Sequence, residues 1–134
     1  MTKFSEFSIK TKSQTDWLNI TRDVQAAIDA SGIREGICVV FIPHTTAAVT
    51  INENADPDVQ HDVTLSLNMI SPDRREFRHS EGNSAAHTKT SLVGPSITLI
   101  VSRGKLLLGT WQSIFFNEFD GPRNRRVQVQ VLGD

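Results

Sequence analysis

The 134-residue sequence predicts a single α+β domain over residues 1–134, with a mainly antiparallel sheet and two or three helices. Three observations carry that prediction. Gly36 to Ile42 (GICVVFI) is a continuous apolar run rich in β-branched residues, with the length of a buried strand. Asp56-Pro57-Asp58 is a strong helix start, followed by Val59, Val63, Leu67 and Ile70 on one helical face. The last forty residues alternate strand-like runs with turn signals.

Taken in order, Phe4 to Lys12 alternates as a strand and Asp16 to Ile20 is its candidate hairpin partner. Thr21 reads as an N-cap for a short helix whose Val24, Ala27 and Ile28 share a face, with Gly32 as its stop. After the apolar run, Pro43 breaks the chain and a second strand runs from Ala47 to Ile51. In the long helix Asp56 is placed to cap, Pro57 suits the first turn and Asp58 complements the positive helix terminus. Ser71-Pro72-Asp73 ends that helix, and the polar stretch Arg74 to Ser84 reads as loop. Asn83 or Ser84 can cap a short helix, Ala85 to Val93, closed by Gly94-Pro95. Ser96 to Ser102 pairs with Leu106 to Gly109 through Arg103-Gly104-Lys105, and Trp111 to Phe119 is a further strand. Asp120-Gly121-Pro122 is a turn, after which Val127, Val129 and Val131 alternate with polar residues, as a half-solvated strand does.

Composition narrows the function classes. Fourteen Lys+Arg against fifteen Asp+Glu give a net charge of −1, which argues against a chain whose main work is coating nucleic acid. No apolar run approaches the ~20 residues that span a bilayer, so no membrane partner is expected. The single cysteine, Cys38, forms no internal disulfide, and the N-terminus lacks a secretory apolar stretch, so a cytoplasmic location is expected. Tyrosine is absent, leaving His, Asp, Glu, Lys or water to move protons.

The chemistry-bearing residues cluster in three places. His44 opens His44-Thr45-Thr46 after the buried strand, and His79 and His87 bracket HSEGNSAAH. Each histidine can simply bond locally in its loop; alternatively a doubled-back loop brings the rings together, and three imidazoles with an open position suit a catalytic divalent metal. His61 lies off the apolar stripe of its helix and gets no role. Glu53, Glu81, Glu118 and Asp120 stand near strand ends or loops, where a carboxylate can be a general base or orient a histidine. Arg123, Arg125 and Arg126 follow Gly121-Pro122, and arginine forks match phosphate geometry, although a basic turn can also merely protect a sheet edge. Gly121 would let a backbone N–H approach an anion, and Asn83 opens a helix whose N-terminus is a second possible anion site. Trp111 can stack on a flat ring or pack in the core.

The strings PHTTAAVTINENADPDV (43–59), RHSEGNSAAH (78–87) and LLLGTWQSIFFNEFDGPRNRRV (106–127) resemble the YjbQ-like family, whose members carry the label secondary thiamine-phosphate synthase. The resemblance implies a homotrimer with a site near a subunit boundary and a divalent metal, zinc or magnesium. It places His44, His79 and His87 at the metal, with Glu53, Glu81 and His87 as catalytic candidates. It also picks out Asn83, Glu118, Asp120 and Arg123, and together with Trp111, Arg125 and Arg126 from the reading above, Asn83, Asp120 and Arg123 are candidates for binding a phosphorylated small molecule. The implied reaction joins a pyrimidine diphosphate to a thiazole phosphate with release of pyrophosphate. A non-catalytic trimeric protein binding a metal or anionic metabolite, and a metal-dependent hydrolase, are the alternatives.

Overall fold

A computed structural model describes all of residues 1–134. β1 (Thr2–Lys10) and β2 (Asp16–Asn19) precede α1 (Thr21–Ser31). β3 (Gly36–Phe41) and β4 (Ala47–Glu53) flank a short loop, and α2 (Pro57–Ile70) and α3 (Ser84–Val93) follow. β5 (Ser96–Ser102), β6 (Lys105–Leu106), β7 (Gln112–Glu118) and β8 (Asn124–Gly133) complete the chain.

The strands form two sheets in which every pairing is antiparallel. The larger has the order β1-β8-β3-β5-β6, the smaller β2-β7-β4. β1 pairs with the C-terminal β8 rather than with β2, which instead joins β7, so the hairpin expected at residues 4–20 does not form. Closing the chain's ends together puts Val127, Val129 and Val131 of β8 in the middle of the sheet, all fully buried.

One core lies between the inner faces of the two sheets. It holds Cys38, Val40 and Ile42 from β3 and just beyond it, Val49 from β4, Val101 from β5, and Ile114 and Phe116 from β7, with Val24 and Ile28 of α1 packed in. The other face of the smaller sheet meets the remaining helices through Ala48, Ala86 and Phe119. No helix is long and apolar enough to cross a membrane.

The helix signals hold with small shifts. Asp56 caps α2 through its Oδ1, which accepts from the Asp58 N–H at 2.9 Å. Thr21 is the first residue of α1 rather than its cap. Its hydroxyl oxygen accepts from the Ile114 N–H and donates to Asn19, tying the helix to β7 instead. The α2 stripe is the larger departure: no α2 residue is buried, Val59, Val63 and Leu67 are half-covered, and Ile70 is exposed together with Leu65 and Met69.

Candidate functional site

Three loops meet at one end of the smaller sheet because β4 and β7 are antiparallel: Ala47, at the start of β4, faces Glu118, at the end of β7. His44 arrives from the β3–β4 loop, His79 and Glu81 from the segment before α3, His87 from the first turn of α3, Arg123 from just before β8 and Arg125 from its start. Together with Pro43, Thr45, Thr46 and Asn83 they line a cleft of about 430 Å³. That volume suits a small molecule. The lining is polar apart from Pro43, which suits a charged or strongly hydrogen-bonding ligand rather than an apolar ring.

The floor of the cleft rests on a buried ion pair. Glu118 is fully buried and Arg125 only 5% exposed. The Arg125 Nε and Nη2 both donate to Glu118, and Nη2 also donates to the Thr46 hydroxyl at 2.8 Å. Thr11 and the Asp120 N–H supply further donors to the same carboxylate. Burial disfavours ionisation of Glu118, but the bonds from Arg125, Thr11 and the Asp120 amide, with the Arg125 charge, outweigh it and hold its pKa below the ordinary glutamate value. Gly121 makes the close approach possible: a Cβ there would stand 2.8 Å from the Thr11 hydroxyl and 2.7 Å from Cγ of Glu118. The Gly121 N–H is committed to the Gln14 carbonyl, so the anion contact expected of it is taken.

A second layer orients Arg123. Its Nε donates to the Asp120 carbonyl and its Nη2 to Asp120 Oδ2 at 2.9 Å. Asp120 Oδ2 also accepts from Asn83 Nδ2 at 2.8 Å, which turns the Asn83 side chain away from capping α3. Burial again opposes the charge on Asp120, and the bonds from Asn83 and Arg123 prevail, lowering its pKa. Asp120 itself lines a neighbouring cavity of about 410 Å³, which shares Glu81 and Asn83 with the first.

The imidazoles divide into a pair and a single ring. His79 and His87 stand edge to face with ring centres 5.3 Å apart, and Glu81 Oε1 lies 4.0 Å from His79 Nε2. His44 is bonded elsewhere: its Nε2 accepts from the Arg126 backbone N–H at 2.9 Å. Burial, then the charges of Arg125 and Arg126, hold its pKa below the ordinary histidine value. No group of three or more His, Cys, Asp or Glu side chains stands at metal-holding spacing. His79, His87 and Glu81 are near neighbours without forming such a group, and His44 is bonded apart from them.

Besides Asp120 in the neighbouring cavity, three expected site residues lie outside the cleft of their own chain. Glu53 is six residues along β4 from Ala47, about 20 Å at strand rise, and pairs with Gln112. Trp111 is 64% exposed at that same far end, its carbonyl accepting from the Asn54 N–H. The Arg126 side chain lies beside Glu6 on the outer face of the larger sheet, and only its amide reaches the site. Conversely, Thr46 supports the cleft without having been assigned to it from the sequence, and Glu118, expected to act as a base or to orient a histidine, is instead the buried partner of Arg125. The alternation of β8 carries the missed signal: Arg125 shares the parity of the buried Val127, Val129 and Val131, and so points inward.

The family model described as UPF0047 protein YjbQ-like matches residues 5–134. A UPF0047 protein of Methanocaldococcus jannaschii is 51% identical over 129 residues, covering 96% of this chain and 94% of that protein. UPF0047 protein YugU of Bacillus subtilis is 48% identical over 126 residues, covering 93% and 96%. The crystal structure of an uncharacterised YjbQ/UPF0047-family protein from Clostridium acetobutylicum superposes with a TM-score of 0.93 at 51% identity, covering 96% of this chain and 99% of that one. A protein of unknown function from Sulfolobus solfataricus superposes with a TM-score of 0.95 at 33% identity, covering 100% and 99%. With near full-length identity of this order and the same fold, the chain belongs to the YjbQ-like UPF0047 family.

Proposed function

We propose that the chain is a metal-assisted enzyme acting on a phosphorylated small molecule, with thiamine-phosphate synthase activity. One observation carries this reading: Arg123, Arg125 and all three loop histidines line the same polar cleft. In the proposed reaction the thiazole nitrogen bonds to the pyrimidine-bearing carbon as its C–O bond breaks, and pyrophosphate leaves with the electron pair. Arg123 and Arg125 bind the departing phosphates through guanidinium N–H groups. Both are ion-paired already, to Asp120 and Glu118, so they attract an anion by direction rather than by net positive field. His79 and His87, with Glu81, would hold a divalent ion, zinc or magnesium, whose chemistry is to stabilise charge on the leaving group. Asn83 keeps Asp120, and through it Arg123, in position.

Incubation of the protein with the pyrimidine diphosphate and the thiazole phosphate is expected to yield thiamine phosphate and equimolar pyrophosphate, with the yield falling after a chelator is added. Absence of product over a range of divalent metals would overturn the reading. Saturable binding of pyrophosphate in that case would favour the non-catalytic alternative.

We also propose self-association as a homotrimer through the outer face of the larger sheet. Phe4, Ile37, Phe41 and Ile100 are exposed there, and Ile37 and Ile100 are direct cross-strand neighbours. Phe4, Val39 and Phe41 also line a shallow hollow with Gln128 and Gln130. An apolar sheet face of this kind is normally covered. Sedimentation is expected to give three times the 14.9 kDa chain mass. A single-chain mass at micromolar concentration would refute the assembly.

A further inference from the structure

β8 runs past the end of β3. The last paired residue of β3, Phe41, faces Gln128, so the Arg126 amide, two residues nearer the start of β8, has no partner on that strand. His44, three residues beyond Phe41, fills the gap by accepting the Arg126 N–H on Nε2 at 2.9 Å. A backbone amide only donates, so Nε2 must present its lone pair, and the neutral ring carries its one hydrogen on Nδ1. Protonation would set one N–H against another beside two arginines, in a half-buried position. A metal ligand needs a free nitrogen lone pair. The lone pair on Nε2 is engaged and Nδ1 bears the hydrogen, so His44 offers a cation nothing.

What it offers an anion is different. His44 lines the cleft, and its Nδ1 has no hydrogen-bond partner in the chain. Arg125 spends Nε and Nη2 on Glu118 and Thr46, and Arg123 spends the same two nitrogens on Asp120; in both, Nη1 is left over. Three unspent donors therefore belong to residues lining one cavity. We infer that His44 is a neutral histidine locked as an Nδ1–H donor to the ligand's phosphoryl group, and that this end of the cleft takes the anion while His79 and His87 serve any cation. The ligand class rests on the function proposed above; the tautomer stands without it.

The test uses the full chain labelled with 15N-histidine. Long-range proton–nitrogen correlation at neutral pH is expected to show His44 with a protonated Nδ1 and a bare Nε2, both unmoved by added zinc. Calorimetry with inorganic pyrophosphate then reads the donor role. His44→Asn places an amide N–H near the Nδ1 position and is expected to keep affinity within about threefold of the parent. His44→Gln, whose carbonyl reaches toward the Arg126 amide but supplies no donor at Nδ1, is expected to lose about tenfold. A hydrogen on Nε2, or zinc-induced shifts of the His44 nitrogens, overturns the inference even if pyrophosphate binds. Equal losses in the two variants overturn the donor role. A parent protein that binds no pyrophosphate overturns the phosphate reading of the cleft, and the donor role with it, while leaving the tautomer measurement standing.

Discussion

Glu118→Gln is expected to cost about 3–5 kcal/mol of folding stability, the range for breaking a buried ion pair from one side. Glu118 is fully buried, and its carboxylate is the sole counter-charge in contact with the Arg125 guanidinium, which is itself 5% exposed. A neutral amide leaves that guanidinium charged, desolvated and short of acceptors, because Gln accepts on one oxygen where Glu accepts on two. Thr11 and the Asp120 amide, which now converge on the carboxylate, lose part of their acceptor as well. The linkage to pH has a definite sign. The folded-state pKa of Glu118 lies below its ordinary value of 4.5, so its contribution is present above that value and is lost as pH falls through the lower folded value. Urea unfolding near neutral pH and again across the acid range measures both effects. The parent should lose stability on acidification, and the variant, already lacking this charge, should show a shallower acid limb. A loss below about 1 kcal/mol would mean that the pair contributes no more than a surface bridge. The double replacement Glu118→Leu with Arg125→Met should recover most of the stability, since an apolar pair of similar volume leaves no orphaned charge.

This ion pair also marks where sequence reading stopped. Arg123, Arg125 and Arg126 sit within four residues and look interchangeable as a basic cluster. The strand makes them different: Arg125 faces the core side and is ion-paired to Glu118, Arg126 faces outward to Glu6, and Arg123 precedes the strand and turns to Asp120. The period of two in Val127, Val129 and Val131 held that information; the partner Glu118 did not show itself, because no local pattern distinguishes a buried acid at a strand end from a solvated one. The α+β class, the helix start at Asp56-Pro57 and the convergence of His44, His79 and His87 on one cleft were legible, the last through the three family strings rather than through spacing. Glu53 was expected at the site as a strand-end carboxylate and Trp111 as a stacking ring, and the direction of β4 carries both to the opposite end of the smaller sheet. The α2 stripe teaches a related lesson. Its pattern correctly identified an apolar face, but periodicity names the face and not what covers it, and within one chain Ile70 stays 64% exposed.

His87→Ala is expected to lower kcat/KM for thiamine phosphate formation by about 10²–10⁴, the range for a positioned acid–base or ion-holding side chain. His79→Ala should fall in the same range. The two rings are in edge-to-face contact at 5.3 Å, and residues that serve as one unit lose their joint contribution once either is gone. The double variant should therefore be no slower than the worse single one by more than about threefold. Stability should barely change, because His79 is exposed and His87 only half-buried, with neither side chain in the core between the sheets. His61→Ala is the control: its side chain is 74% exposed on α2, outside the cleft, and its turnover should match the parent. Turnover retained in both single variants would remove the histidine pair from the reaction and eliminate it as the proposed catalytic site. Multiplicative losses in the double variant would show instead that the two rings act in separate steps, one at each end of the bond being broken.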